Sequence, residues 1–380
     1  MRGRVAKLVL ICAAGLVCAI CVSRGFITSH AQQDNFFSTW RPNSDTRGIR
    51  YVGNKACVEC HKEQAKELDT PMAHALEVAP DCRIVTTRGK LTFRNGPYTY
   101  NIAREGASIN YTISDGKNTI TKPILYCFGE GNVGQTFVFR HNDMLYETRV
   151  SYFEKLRALD FTIGHRSAVS ASLEDALGRV IAGEEPQQCF GCHTTGAVNG
   201  LELKLDQLKP GIGCEACHGP GDKHLVAMKA KHVDEPQIFN PRALDGNELS
   251  QSFCGTCHTS FEQAMLLPGQ SGINNIRFQP YRMFNSRGHN TNDPRVSCLA
   301  CHNPHEHLQK DAAYYDQKCL ACHLTTAKDT KTERRSAPFC PVSTKNCTTC
   351  HMPKVELSGM HAEFTDHWIR IAKPNEPVPR

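Results

Sequence analysis

The chain has 380 residues with 40% hydrophobic content, 44 Lys and Arg against 38 Asp and Glu, a formal charge of +6 and 20 cysteines. Removal of an N-terminal leader carrying Arg2, Arg4, Lys7 and Arg24 would leave about +2. The basic balance therefore gives no ground for a nucleic-acid partner.

The leader is the first predicted element. Arg2, Arg4 and Lys7 precede an apolar run from Leu8 to Val22, and Ser29-His30-Ala31 supplies a small-x-small cleavage site before Gln32. Residues 1–31 thus read as a signal peptide. The run is short for a membrane span, and Arg24 leaves an uncleaved N-terminal anchor as the alternative. Cys12, Cys18 and Cys21 lie inside this segment with no lipobox around them. Export to the periplasm or beyond puts the mature chain in an oxidising compartment.

Residues 48–80 form the next predicted unit, with a helix over Lys55–Leu68 ending near Thr70-Pro71. Within it stands Cys57-Val58-Glu59-Cys60-His61, the first of seven C-x-x-C-H motifs. Residues 82–155 carry no such motif. They alternate apolar and polar in Leu91-Thr92-Phe93, Ile109-Asn110-Tyr111-Thr112-Ile113 and Phe137-Val138-Phe139. Asn95-Gly96, Asp115-Gly116 and His141-Asn142-Asp143 supply turns, so consecutive antiparallel hairpins are expected.

The third unit, residues 165–380, is expected to open with an amphipathic helix whose face holds Val169, Leu173, Leu177, Val180 and Ile181. It then carries the other six motifs: Cys189, Cys192 and His193; Cys214, Cys217 and His218; Cys254, Cys257 and His258; Cys298, Cys301 and His302; Cys319, Cys322 and His323; Cys347, Cys350 and His351. Gly and Pro interrupt this stretch, so short helices wrapped around cofactors are expected. The fold class is α+β: cofactor-packed short helices plus an antiparallel β-rich insertion between motifs 1 and 2.

About 0.05 copies of C-x-x-C-H would arise if these residues were placed at random, against the seven present. On a helical turn, positions three and four apart share a face. Two thiols can then reach the vinyl groups of one haem while the histidine meets its iron. Seven covalently attached c-type haems follow, and their 14 propionates move the holoprotein toward net negative charge. Zinc is the alternative for C-x-x-C pairs. All seven pairs being followed by His, their odd number and the export signal argue against it.

Outside the motifs and leader the chain has ten histidines, a surplus over seven irons. His74, His165, His224, His289 and His305 stand out as sixth ligands, with His361 and His367 as further candidates; His141, His232 and His307 read as surface or surrounding groups. Bis-His ligation would hold potentials below those of His/Met haems. Of the leftover cysteines Cys82, Cys127 and Cys340, the first two border the same strand-rich segment and read as the pair.

The chain resembles the exported multihaem c-type cytochromes related to the tetrahaem cytochrome of ammonia oxidisers and the octahaem hydroxylamine oxidoreductases. The resemblance rests on Tyr51-Val52-Gly53 before the first motif, Thr70-Pro71-Met72-Ala73-His74, Cys214-Glu215-Ala216-Cys217-His218-Gly219-Pro220-Gly221, Cys301-His302-Asn303-Pro304-His305, and Cys350-His351-Met352-Pro353-Lys354 with Thr365-Asp366-His367. It implies haems in parallel-stacked and perpendicular contact, with His74, His165, His224, His289 and His305 as distal ligands. The chain departs from the enzymes in having no C-x-x-C-K motif and no region matching the haem-crosslinking tyrosine. The expected function is electron transfer between redox partner proteins outside the cytoplasm, in or near a membrane-associated complex. The alternative is an oxidoreductase acting on a small nitrogen or sulfur species at one five-coordinate haem, with acid/base groups such as His141, His307 or Tyr281.

Overall fold

The computed structural model describes residues 50–200, 202–267, 272–286, 288–289, 295–323, 340–357, 359–373, 376 and 378–379. The leader, residues 1–31, lies outside them. Among the described residues no helix is long and apolar enough to cross a membrane.

The architecture is mixed α+β, with one large antiparallel sheet and many short helices. The sheet comprises β1 (Leu76–Val78), β2 (Leu91–Asn95), β3 (Tyr98–Glu105), β4 (Ser108–Ser114), β5 (Thr119–Phe128), β6 (Gly134–His141), β7 (Met144–Thr148), β8 (Val150–Phe153), β9 (Ala158–Phe161) and β10 (Gly178–Val180). Its main path runs β10-β7-β6-β5-β4-β3-β2, with β1 added to β5 and the β8–β9 ladder joined to β6. All of these pairings are antiparallel. Asn95-Gly96, Asp115-Gly116 and Asn142-Asp143 turn the β2–β3, β4–β5 and β6–β7 hairpins. Gly96, Gly116, Asn142 and Asp143 take the positive φ that such turns need.

Strand alternation sets the packing. Tyr98, Tyr100 and Ile102 of β3 and Ile109, Tyr111 and Ile113 of β4 point into one core with Phe137, Phe139 and Leu177. A second core lies on the other side of β5 and β6. There Leu76, Val138, Leu145 and Ile181 close over Phe190, which comes from the helix of motif 2.

Two local expectations are corrected. The helix over Lys55–Leu68 is split into a short α-helix, Asn54–Val58, and a 3-10 helix, Glu63–Asp69. The amides of Cys60 and His61 both close on the Cys57 carbonyl, and the chain restarts at Lys62 with tighter bonds, beginning with Ala65 N to Lys62 O.

The amphipathic helix over Val169–Ile181 is absent. Its span is irregular as far as a 3-10 turn, Asp175–Leu177, followed by β10. The helical spacing matched residues that are buried for another reason: Leu177 enters the sheet core, and Val180 pairs with Tyr146 on β7. Gly178 permits this with φ +139, since a Cβ there would stand 2.0 Å from the Glu147 carbonyl oxygen. Val169 is 53% exposed.

The sheet thus reaches from residue 76 to residue 180, wider than the alternation in 82–155 alone. The described residues beyond it form mostly short helices, plus two short ladders, Thr194–Thr195 with Lys209–Pro210 and Val198–Asn199 with Glu202–Leu203, and a C-terminal hairpin of Lys354–Leu357 with Ala362–Thr365.

Candidate functional site

Six of the seven motifs lie on or end a helical turn that runs through the histidine or the second cysteine: Glu185–His193, Cys214–His218, Gly255–His258, Cys298–Cys301, Ala312–His323 and Cys347–His351. In motif 1, His61 N bonds the Cys57 carbonyl at 3.0 Å, one helical turn back. Cys-x-x-Cys-His on such a turn presents both thiols and the imidazole together.

One docking device recurs between motifs. The amide of Cys214 donates to Asn54 Oδ1 at 3.1 Å, that of Cys298 to Ser250 Oγ at 3.3 Å, and that of Cys347 to Asp316 Oδ1 at 2.7 Å. Each acceptor stands three or four residues before the first cysteine of another motif, namely Cys57, Cys254 and Cys319. A side chain of one motif therefore caps the helix start of its mate, where amides lack helical partners. As a result the first thiols meet: Cys57 with Cys214, Cys254 with Cys298, and Cys319 with Cys347 are in hydrogen-bond contact. Burial raises the Asp316 carboxyl, but the amides of Cys347 and Asn346 more than offset this and hold it below the usual range.

Motifs 1 and 3 carry a further clamp. Glu215, 3% exposed inside motif 3, accepts from Val52 N, Gly53 N and Gly221 N at 2.8, 2.7 and 2.9 Å. Gly211, at φ +72, lets that segment pass the Ala73 carbonyl, where a Cβ would stand 1.7 Å away. Motif 2 joins the array through Cys192 Sγ, which donates to the Thr256 carbonyl of motif 4. Its Phe190 stands edge-on to Tyr126 and Phe128 of β5.

Three motif histidines face a second histidine across similar gaps. Ring centres are 6.2 Å apart for His61 and His224, 6.0 Å for His218 and His305, and 6.2 Å for His302 and His367. Stacked faces in contact would bring carbons to about 3.5–4.0 Å. Imidazole nitrogen bonds to a metal are about 2 Å, which places two trans imidazole centres about 6 Å apart.

The remaining nitrogen is anchored in several of these rings. Nδ1 of His218 bonds Phe239 O at 2.9 Å, Nδ1 of His224 bonds Pro236 O at 2.5 Å, and Nδ1 of His367 bonds Thr365 O at 2.9 Å. Outside the three pairs, Nδ1 of His193 bonds Ala75 O at 2.8 Å and Nδ1 of His351 bonds Arg370 O at 2.9 Å. Donation from Nδ1 directs Nε2 outward as the free ligand atom. Burial pushes His193, His302 and His305 below the ordinary imidazole range and takes His367 to about 4, which favours the neutral form that can ligate.

Among the remaining expected ligands, His74 is half-buried next to Ala75, whose carbonyl holds His193. His165 faces Glu147 Oε2 with its Nε2 at 3.2 Å, a carboxylate that also accepts from Arg179. His289 packs on Phe284 with ring centres 4.8 Å apart. His361 pairs through Nε2 with Asp160 Oδ2 at 2.8 Å and stands edge-on to Phe153. Among the described residues, no His, Cys, Asp or Glu group of three or more is placed to hold a metal ion by itself.

Sequence reasoning missed Asn54, Ser250, Asp316 and Glu215 as docking groups; their only local signal is their spacing before or within the motifs. Nor did it flag the support behind His367. There a fully buried Arg282 grips Asp366 with two 2.9 Å bonds, and Arg370 adds a third at 2.6 Å.

Residues 154–219 match the family described as Cytochrome c554 and c-prime, a span that includes motifs 2 and 3. The chain is 26% identical over 201 residues to a protein from Shewanella baltica (strain OS185) named Multiheme cytochrome MtrA, covering 50% of this chain and 50% of that protein. It thus spans about half the length of the curated relative it matches. No solved structure matches. Together with the repeated motifs, these similarities support a multihaem c-type cytochrome.

Proposed function

We propose that this protein is an exported heptahaem c-type cytochrome that carries single electrons between redox partner proteins outside the cytoplasm. The observation that carries this reading is the trio of opposed histidine rings, each pairing one motif histidine with another from a distant part of the chain. Two imidazoles facing across about 6 Å are too few ligands for a bare ion, but they suit a metal whose other four positions belong to a porphyrin. The cofactor would be held by the two thiols and histidine of each motif, and it supplies reversible one-electron chemistry. In this proposal His224, His305 and His367 are sixth ligands to the haems of motifs 1, 3 and 5.

The three docked pairs order the array. Motif 1 sits with 3, 4 with 5, and 6 with 7, while motif 2 joins at motif 4. Cys217 of motif 3 lies close enough to Cys254 of motif 4 to affect its charge, and Cys319 of motif 6 does the same to Cys301 of motif 5. Electrons would pass 1–3–4–5–6–7. Cys60, Cys257 and Cys350 are exposed. Motifs 1 and 7, which hold the first and last of these, also end the proposed order, so their haems are the proposed points of exchange with partners.

A second reading rests on His258. It is exposed and forms no opposed histidine pair among the described residues. The haem of motif 4 would then be the open one in an oxidoreductase. Intact mass and low-temperature spin-state spectra decide between the two. Seven haem additions with mainly low-spin iron, and one added high-spin, carbon monoxide-binding haem in His224→Ala, fit the carrier. One full high-spin equivalent in the unaltered protein, with turnover of hydroxylamine or nitrite, would overturn it. A haem count other than seven would sink the heptahaem assignment.

A further inference from the structure

We propose that Cys82 and Cys127 are joined by a disulfide in the mature protein, a covalent tie between the segment following motif 1 and strand β5. The inference rests on the exported reading above, because only an oxidising compartment supplies the electron acceptor.

Both side chains are 0% exposed, and their thiols are in direct hydrogen-bond contact. Cys82 stands immediately before the helix Arg83–Arg88, and Cys127 is paired with Glu77 in the β1–β5 ladder. Gln135 completes the pocket: its Oε1 accepts from Cys82 Sγ at 3.0 Å, and its Nε2 donates to Glu77 Oε2 at 3.0 Å and Gly129 O at 2.6 Å. The 14 motif cysteines differ in kind, since each has a mate three positions away on a helical turn and each is half-buried or exposed. Cys340 is half-buried on a separate stretch, which leaves Cys82 and Cys127 as the one fully buried pair among the described cysteines.

Closing the bond breaks two S–H bonds and forms one S–S bond. Two protons leave, and two electrons pass to the disulfide of an exported thiol-oxidising protein. One thiolate attacks that disulfide, and the second thiol then displaces the oxidant as a dithiol. Neither sulfur can be reached in the finished sheet, so the exchange occurs while the sheet is folding. Gln135 gives up only a weak thiol donor and keeps its bonds to Glu77 and Gly129.

The tie lies beneath the proximal ligand of motif 2. The Ala75 carbonyl accepts from His193 Nδ1 at 2.8 Å and from Gly129 N at 2.7 Å, and the Phe128 ring stands edge-on to His193. Ala75 directly precedes β1, and Phe128 follows Cys127. A bond at Cys82–Cys127 therefore fixes the ladder that orients this imidazole.

The test is peptide mapping of purified holoprotein that has been unfolded in iodoacetamide without reductant. The expected result is label on Cys340 only, with the Cys82 and Cys127 peptides linked to each other and both labelled after reduction. Motif peptides in the same digest report haem attachment. Label on both Cys82 and Cys127 before reduction, beside haem-bearing motif peptides, would overturn the disulfide and leave the exported-cytochrome reading standing. Motif peptides without haem would remove that reading and the disulfide with it.

Discussion

The sheet and the haem-motif region solve the burial problem in different ways. The sheet buries its own side chains: Tyr100, Tyr111, Phe137, Phe139 and Tyr152 are fully enclosed, and they pack against one another across β3, β4, β6 and β8. Past Leu208, which still packs on the second core, the described residues form only a small cluster of Ala264, Phe278 and Tyr281 with Phe261, and most motif cysteines stay half-buried. What holds the motifs to one another is polar capping by Asn54, Ser250 and Asp316. A region with so little apolar side-chain burial needs another source of core, and covalently bound porphyrins are the proposed one.

The largest expected effect breaks this comparison open. Chain produced without haem attachment should keep the sheet and lose the rest. Hydrogen exchange on such apoprotein should show slow amides over 91–153 and near-random rates across 250–267 and 295–323. Uniform protection of both regions would mean that the motif region folds on its own side chains and would refute the contrast.

The hinge between the two regions is Phe190. Among the described residues it is the one aromatic of a motif helix that is wholly buried in the sheet's second core, edge-on to Tyr126 and Phe128. Phe190→Ala should cost about 3–5 kcal/mol in a denaturant titration of the holoprotein. The loss should fall on the motif 2 helix and β5, leaving β2–β4 protected in exchange. A cost below about 1 kcal/mol would show that this helix does not rely on the sheet.

These two regions were also unequally legible in the sequence. The hairpins could be read because a turn such as Asn95-Gly96 and the alternation beside it are local. The motif thiols and imidazoles could be read because their spacing is itself the chemistry. The helix expected over Val169–Ile181 is absent because burial of Leu177 is imposed by the first core and that of Ile181 by the second, which helical periodicity cannot distinguish from a helix face. The opposition of His61 to His224, or of Asp316 to the Cys347 amide, is tertiary, and no local pattern carries it. For the same reason His367 stands only among the further candidates in the sequence, yet it faces His302 across 6.2 Å.

The smallest expected effect sharpens the contrast on its electrostatic side. Glu67, in the 3-10 helix after motif 1, is 6% exposed, and its Oε2 has no hydrogen-bond partner. Burial, and secondarily the Cys214 thiolate, push its carboxyl up to about 8. The second contribution vanishes once Cys214 carries a thioether, whereas the first does not. Between the ordinary carboxyl value of 4.5 and about 8, the folded chain holds a proton that the unfolded chain has released. Stability attributable to this site is therefore full below about pH 4.5, falls as pH rises through that window, and is lost no further above it. Glu67→Gln keeps the shape and removes the titration. Its advantage over the parent should be near zero at pH 4.5 and grow to about 1–3 kcal/mol at pH 8.5, the scale for one buried unsatisfied group. Thermal melts at the two pH values give the difference directly. An advantage that does not change with pH, or one that shrinks as pH rises, would mean that Glu67 is ionised in the folded protein and has found a cation or solvent beside the first haem.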